Sequence, residues 1–220
     1  MALAVSLHES PLIFITDHHR SDGRDNQTVV QAALEGGCRW VMYREPDLGD
    51  AAFYDECLKI RELCEKAGAG LIVNDRLDVS ELTRSHGVHL GKDDLPVRVV
   101  KEFKGEDFLV GCSAHTLEEA ITVAWEGADY ITYSPLFPLE HKESPYEPHG
   151  IEGAREVLQK LEIPVFLLGS IRLPDLKDLT KAVHPMRVAT VSMISEAEDI
   201  TKATVQALGI LGPALRAANE

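Results

Sequence analysis

Two short stretches place acids and hydrogen-bond donors directly after apolar runs. In "GLIVNDRLD" (70–78) Leu71, Ile72 and Val73 pass without a break into Asn74, Asp75 and Arg76, and "GVHLGKDDLP" (87–96) ends in Lys92, Asp93 and Asp94. If each apolar run is a strand, Asp75 and Asp94 emerge at the carboxyl ends of neighbouring strands. Two carboxylates so placed suit Mg2+, which usually takes one or two of them and completes its shell with water and substrate phosphate. Arg44, which follows "WVMY", together with Asn74 and Lys142, would then supply donors to an anionic substrate. Each segment also has a plainer reading: Asp75–Arg76 as a turn ion pair, and "KDDLP" as a polar helix entrance capped by Asp94. Taken jointly, the two strand ends favour the metal site.

Other candidates lie further along the chain. "GCSAHTLEEA" puts Ser113 and His115 on one side of a strand end, by alternation. A Ser-His nucleophile lacks an orienting acid here, so His115 as a proton shuttle is the more economical active reading, with a loop-closing role equally open. "LLGSI" and "VATVSMI" bring Gly169, Ser170, Val191 and Ser192 to two late strand ends, where small residues and free backbone N–H groups suit a phosphate; a tight strand-to-helix turn is the plain alternative. His86 and His89, three apart on a strand, point to opposite faces, and both are assigned to structure. His18 and His19 read as a solvated loop. The loop 138–150, rich in Pro and Glu, reads as a mobile flap carrying Lys142.

The elements that must position these residues follow from the apolar runs. Eight are found: 12–17, 40–45, 70–75, 87–91, 108–115, 130–137, 164–170 and 186–194. Several are almost continuously hydrophobic, as strands covered on both faces are. Between the second and third, Phe53, Cys57, Ile60, Cys64 and Ala67 fall at helical spacing, with Asp50 to cap the start and Gly68 to end it. Thr116 and Glu119 form a capping-box pattern, and Pro96 opens a helix holding Val99, Val100 and Phe103. Residues 150–160, 174–183 and 196–208 complete the helices, and the stretch after Asp75 has room for only a turn or two. This alternation predicts a single α/β domain, a closed (β/α)8 barrel, with its core over about 12–208. A doubly wound sheet would want a glycine-rich phosphate loop after the first strand, and "TDHHRSDGRD" is not one.

Composition limits the function. The 220 residues carry 36 acidic and 22 basic side chains, a net charge of -14, which disfavours nucleic acid or an anionic membrane as partner. Cys38, Cys57, Cys64 and Cys112 show no metal-like spacing and are expected to be reduced and buried. The first seventeen residues fit neither a signal peptide nor a transmembrane span, so a cytoplasmic protein is expected. A homodimer is left open.

"NDRLDVS", "GVHLGKDDLP", "VGCSAHTLEEA", "GADYITYSPLFP" and "VATVSMI" resemble, in order and spacing, the thiamin-phosphate synthase and TenI (thiazole tautomerase) family over roughly residues 12–208. The resemblance implies a TIM barrel, Mg2+ as cofactor, and small phosphorylated thiazole and pyrimidine substrates. It implies that Asp75 and Asp94 hold the metal, that Arg44, Asn74 and Lys142 contact pyrophosphate, that Ser113 lies beside the pyrimidine, and that Gly169, Val191 and Ser192 cradle the thiazole phosphate. In the tautomerase branch a histidine matching His115 moves a proton. Three departures stand out. Met42 and Pro46 replace the Gln and Lys of the synthase Gln-x-Arg-x-Lys, Leu139-Glu140-His141-Lys142 replaces Thr-x-Thr-Lys, and Gly169-Ser170 replaces Gly-Gly. Three activities are therefore carried forward: synthase, tautomerase, and a catalytically silent thiazole-phosphate-binding or regulatory barrel.

Overall fold

A computed structural model of the chain describes residues 5–105, 107–139 and 144–219. Eight parallel strands close on themselves in sequence order: β1 (Leu12–Ile15), β2 (Trp40–Tyr43), β3 (Gly70–Asn74), β4 (Gly87–Leu90), β5 (Leu109–Ala114), β6 (Tyr130–Tyr133), β7 (Val165–Leu167) and β8 (Arg187–Thr190). The ring is sealed where Leu12 lies opposite Val188. The helices outside are α1 (Asn26–Glu35), α2 (Asp50–Lys66), α3 (Leu77–Thr83), α4 (Val97–Lys104), α5 (Leu117–Trp125), α6 (Gly150–Lys160), α7 (Leu176–Ala182), α8 (Ser192–Ser195) and α9 (Ile200–Asn219). The fold is the expected (β/α)8 barrel.

The near-continuous hydrophobic runs have a direct cause. Leu12, Phe14, Val41, Tyr43, Leu71 and Val73 face outward into the layer filled by Val29, Val30, Phe53, Ile60 and other helix residues, while Ile13, Ile15, Trp40, Met42, Ile72, Tyr130 and Phe166 fill the interior. Both faces of each strand are dry, so both parities are apolar. Volume is matched across neighbouring strands. A Cβ on Gly111 would sit 2.0 Å from Tyr130 Cζ, and one on Gly70 would sit 2.3 Å from Trp40 Cζ3, so the two glycines make room for the two largest interior rings.

The amino-terminal end of the barrel is plugged. A 3-10 turn, Leu7–Glu9, buries Leu7 in the interior cluster, Trp40 Nε1 donates to Val5 O at 3.1 Å, and Arg187 Nη2 donates to His8 O at 2.9 Å. The carboxyl ends of the strands are left as the open face.

Several details differ from the sequence-based expectation. α1 is an additional helix, started by Asp25, whose carboxylate accepts from Thr28 N at 2.8 Å. Asp50 is the first residue of α2 and not its cap, which is Gly49; its carboxylate accepts from Arg76 Nη1 instead. The capping box at Thr116 is displaced by one residue: Thr116 Oγ1 accepts from Glu119 N, but the Glu119 carboxylate accepts from His115 N at 2.7 Å. The last helix begins at Ile200 and continues past 208 to Asn219, burying Leu211 and Leu215. Among the described residues no helix is long and apolar enough to cross a membrane.

Candidate active site

A cavity of about 530 Å³ opens at the carboxyl ends of the strands. Its walls come from the inward parity of each strand continued one or two residues beyond the strand's end: Ile15 and Asp17, Met42 and Arg44, Asn74, His89, Ser113 and His115, Thr132 and Ser134, Leu168, Ala189 and Val191. Ile15, Met42, Leu168 and Ala189 supply apolar surface, and the polar side chains come both from within the strands, as with Asn74, His89, Ser113 and Thr132, and from just past them, as with Asp17, Arg44, His115 and Ser134.

Asp75 and Asp94 follow the ends of β3 and β4, near enough for the Asp94 carboxylate to act on the Asp75 carboxyl. Asp75 adopts φ +61° as β3 ends, its N–H donating to His89 O at 2.8 Å. Asp94 is held by the turn after β4, where Gly91 N donates to its Oδ2 at 2.7 Å. Burial first, and then the adjacent Asp94 carboxylate, push the Asp75 carboxyl up to about 6, with Arg44 pulling the other way. Two neighbouring hard oxygen donors, one reluctant to ionise beside the other, form a donor set that fits a divalent cation such as Mg2+. The plainer readings fall away. Arg76 turns from Asp75 to a bidentate pair with Asp78, at 2.9 and 2.7 Å, and α4 is capped by Pro96, not Asp94.

The serine and the histidines are paired differently from the expectation. Ser113 Oγ lies 3.0 Å from His89 Nε2 and not against His115, and His89 Nδ1 lies 3.0 Å from Tyr130 OH. Assigning both His86 and His89 to structure thus holds only for His86, whose Nδ1 accepts from Leu71 N; His89 lines the cavity. Burial pushes the His89 imidazole down to about 3, so it is neutral and orients the Ser113 and Thr132 hydroxyls. Among the described residues no carboxylate bonds to it, and the arrangement is not a hydrolase triad.

His115 Nδ1 sits 2.8 Å from Ser134 O. A carbonyl only accepts, so Nδ1 carries the proton and Nε2 keeps the free lone pair. The Tyr146 ring stacks on His115 with centroids 4.3 Å apart, and Lys92 Nζ donates to Tyr146 OH. Of the expected flap, Leu139 lines the cavity and Tyr146 covers His115; Lys142 and His141 lie outside the described residues.

Gly169, Ser170, Val191 and Ser192 come together on the far wall. Gly169 holds φ +115°, and a Cβ there would meet Leu136 N at 2.8 Å and Pro135 Cα at 2.9 Å, so this loop passes hard against the β6 loop. Ser170 follows at φ +49°. The first amides of α8 have no carbonyl within their own helix to bond. Two arginines missed in the sequence brace this wall. Arg24 donates to Ser195 O at 2.6 Å and Ala197 O at 2.9 Å, and Arg20, itself lining the cavity, pairs with Glu196 at 2.6 Å. Their only signal was basic residues in the loop after β1.

That loop also holds the histidine pair expected to be merely solvated. His18 Nδ1 lies 2.5 Å from Glu45 Oε2, and His19 Nε2 lies 2.7 Å from Asp47 Oδ2. The hydrogen bond to Glu45 raises the His18 imidazole's pKa above its ordinary value.

The sequence profile of the TMP-TENI family, described as thiamine monophosphate synthase, matches residues 12–196. The chain belongs to the thiamine monophosphate synthase family. Thiamine-phosphate synthase of Caldicellulosiruptor saccharolyticus is 39% identical over 188 residues, 86% of this chain and 85% of that protein. The enzyme of Chloroflexus aurantiacus is 37% identical over 195 residues, 89% of each chain. The solved structure of thiamine phosphate pyrophosphorylase from Pyrococcus furiosus superposes with a TM-score of 0.84 at 30% identity, over 94% of this chain and 98% of that one. Against the synthase pattern, Met42 lines the cavity where Gln is usual, and Glu45 does not compensate for the missing Gln and Lys. Its side chain is fully buried and engaged by His18 and by Asn26 Nδ2 at 2.8 Å.

Proposed function

We propose that the chain is a thiamine-phosphate synthase, joining a pyrimidine-methyl pyrophosphate to a phosphorylated thiazole with release of pyrophosphate. The observation that carries this reading is the neighbouring pair Asp75 and Asp94 just past β3 and β4, the first directly after cavity-lining Asn74, with the Gly169–Ser170 and Val191–Ser192 loops lining the same cavity. In the reaction a C–O bond to the pyrophosphate breaks as the thiazole nitrogen takes its place on the methylene carbon. Asp75 and Asp94 would hold Mg2+, which when bound neutralises charge on the leaving pyrophosphate. Arg44 and Asn74 line the cavity on the same side and donate to phosphate oxygens. Ser113, held by neutral His89, meets the pyrimidine as a fixed hydrogen-bond partner. The floor of Ile15, Met42, Leu168 and Ala189 excludes water that would otherwise capture the electron-poor methylene carbon. Lys142 is proposed to reach the pyrophosphate from the flap.

The missing Gln and Lys remove hydrogen bonds worth about 0.5–3 kcal/mol each. A second reading is favoured by one observation. His115, with Nδ1 committed to Ser134 O, presents a free Nε2 to a cavity that holds phosphorylated thiazole, as a thiazole tautomerase requires. One experiment tests both. Purified chain with both substrates should release pyrophosphate only with Mg2+, and Asp75→Asn should abolish release. Chelator-insensitive aromatisation of the thiazole tautomer, lost in His115→Ala, with no pyrophosphate released, would establish the tautomerase instead. Tight binding of thiazole phosphate with neither turnover would leave the silent barrel.

A further inference from the structure

We propose that His18, His19 and Asp47, closed from beneath by Glu45, form a second metal site that takes a Zn2+-class transition-metal dication. The donors come from the 3-10 turn His18–Arg20 after β1 and from the loop after β2, whereas Asp75 and Asp94 come from the ends of β3 and β4. His18, His19 and Asp47 each bring one ligand atom, and these atoms all lie within 4.8 Å of one another.

Adjacent residues usually send their side chains apart, yet these two imidazoles have centroids only 3.8 Å apart. The turn enforces it. Asp17 Oδ1 accepts from His19 N at 3.0 Å, Asp17 O accepts from Arg20 N at 2.9 Å, and Ser21 Oγ donates to His18 O at 2.8 Å. The second, independent observation is Glu45. Its carboxylate has no solvent exposure, and it is aimed at the cluster by Asn26 Nδ2, which bonds Oε1 at 2.8 Å and leaves Oε2 against His18 Nδ1 at 2.5 Å. A buried carboxylate fixed on one oxygen and presented on the other is how proteins orient a metal ligand from behind.

The dimensions fit. Tetrahedral ligands about 2.0–2.1 Å from Zn2+ stand roughly 3.4 Å apart, so the 2.7 Å His19–Asp47 contact needs to open by less than about 1 Å, and donors as far apart as 4.8 Å need to close by about 1.4 Å. Two imidazoles with one carboxylate match zinc, and imidazole donors discriminate against Mg2+, which prefers oxygen. The two sites therefore select different ions.

The test uses the tag-free full chain, stripped of metal and then saturated with Mg2+ so that the Asp75–Asp94 pair is occupied. Titration with Co2+ should give one equivalent with the visible absorption of a four-coordinate imidazole site, and Zn2+ should displace it. His19→Ala and Asp47→Asn, both at exposed positions, should each weaken Co2+ binding at least about tenfold while leaving the melting curve intact. Asp75→Asn combined with Asp94→Asn should leave it unchanged. No bound Co2+ in the wild type, equal affinity in His19→Ala, or loss of Co2+ in the double aspartate variant would each overturn the proposal.

Discussion

Asp75→Asn should make the metal-free chain more stable while abolishing its metal response. With folded and unfolded acidities of about 6 and 3.8, the folded state releases this proton less readily than the unfolded chain. Below pH 3.8 both states hold the proton and no penalty arises. Through the window up to about 6 the unfolded chain ionises first, stability falls, and above about 6 the penalty is complete. Expressed in full, that difference corresponds to ~3 kcal/mol, but Asp75 is exposed enough for water to screen most of it, leaving ~1 kcal/mol. Asparagine cannot carry the charge, so at pH 8 without metal the variant should melt ~2–4 °C above wild type. Mg2+ at a hundredfold its dissociation constant should add ~2.7 kcal/mol to wild type and almost nothing to the variant. Scanning calorimetry at pH 5 and 8, with and without Mg2+, reads all four quantities. A variant less stable than metal-free wild type at pH 8, or an equal Mg2+ shift in both, would refute the shared-cation geometry.

Three other perturbations follow from the same coordinates. Ser170 sits at φ +49°, where an L-residue carries ~1 kcal/mol of strain, so Ser170→Gly should raise stability by ~0.5–1 kcal/mol in urea titration. Gly111→Ala drives a methyl group onto Tyr130 Cζ and should cost ~3 kcal/mol or prevent folding, visible as loss of the cooperative melt. Arg24→Ala frees the carbonyls of Ser195 and Ala197 behind the far wall. Steady-state kinetics should show the KM for thiazole phosphate rising ~10-fold, with kcat changing much less.

The barrel was legible because its physics is local. A strand dry on both faces must be apolar at both parities, and "LIFI", "WVMY" and "GLIV" announce that without reference to partners. Several cavity residues were legible for the same reason: Asp17, Arg44, Asn74 and Ser113 stand where or just after an apolar run breaks into polar side chains near the carboxyl end of its strand. α1 has a readable signal too, in Asp25 followed by Thr28 and the apolar Val29, Val30, Ala33 and Leu34 at helical spacing.

Partner choice was not legible, because it is set between loops far apart in sequence. His86 precedes β4 and packs edge-on against interior Trp40, while His89 lines the cavity, and spacing alone cannot say which histidine faces the cavity; Gly111, leaving space for Tyr130, is part of what puts Tyr130 OH within reach of His89. Arg76 could pair with Asp75 or Asp78 on spacing alone, and the nearby start of α2, bringing Asp50, draws it outward. That outward turn leaves Asp75 and Asp94 without Arg76 to neutralise them; among the described residues Arg44 partly opposes the repulsion. Arg76 is held instead by Asp78, two residues on, and by Asp50, 26 positions upstream, so what surrounds Asp75 is set partly by an element distant in sequence.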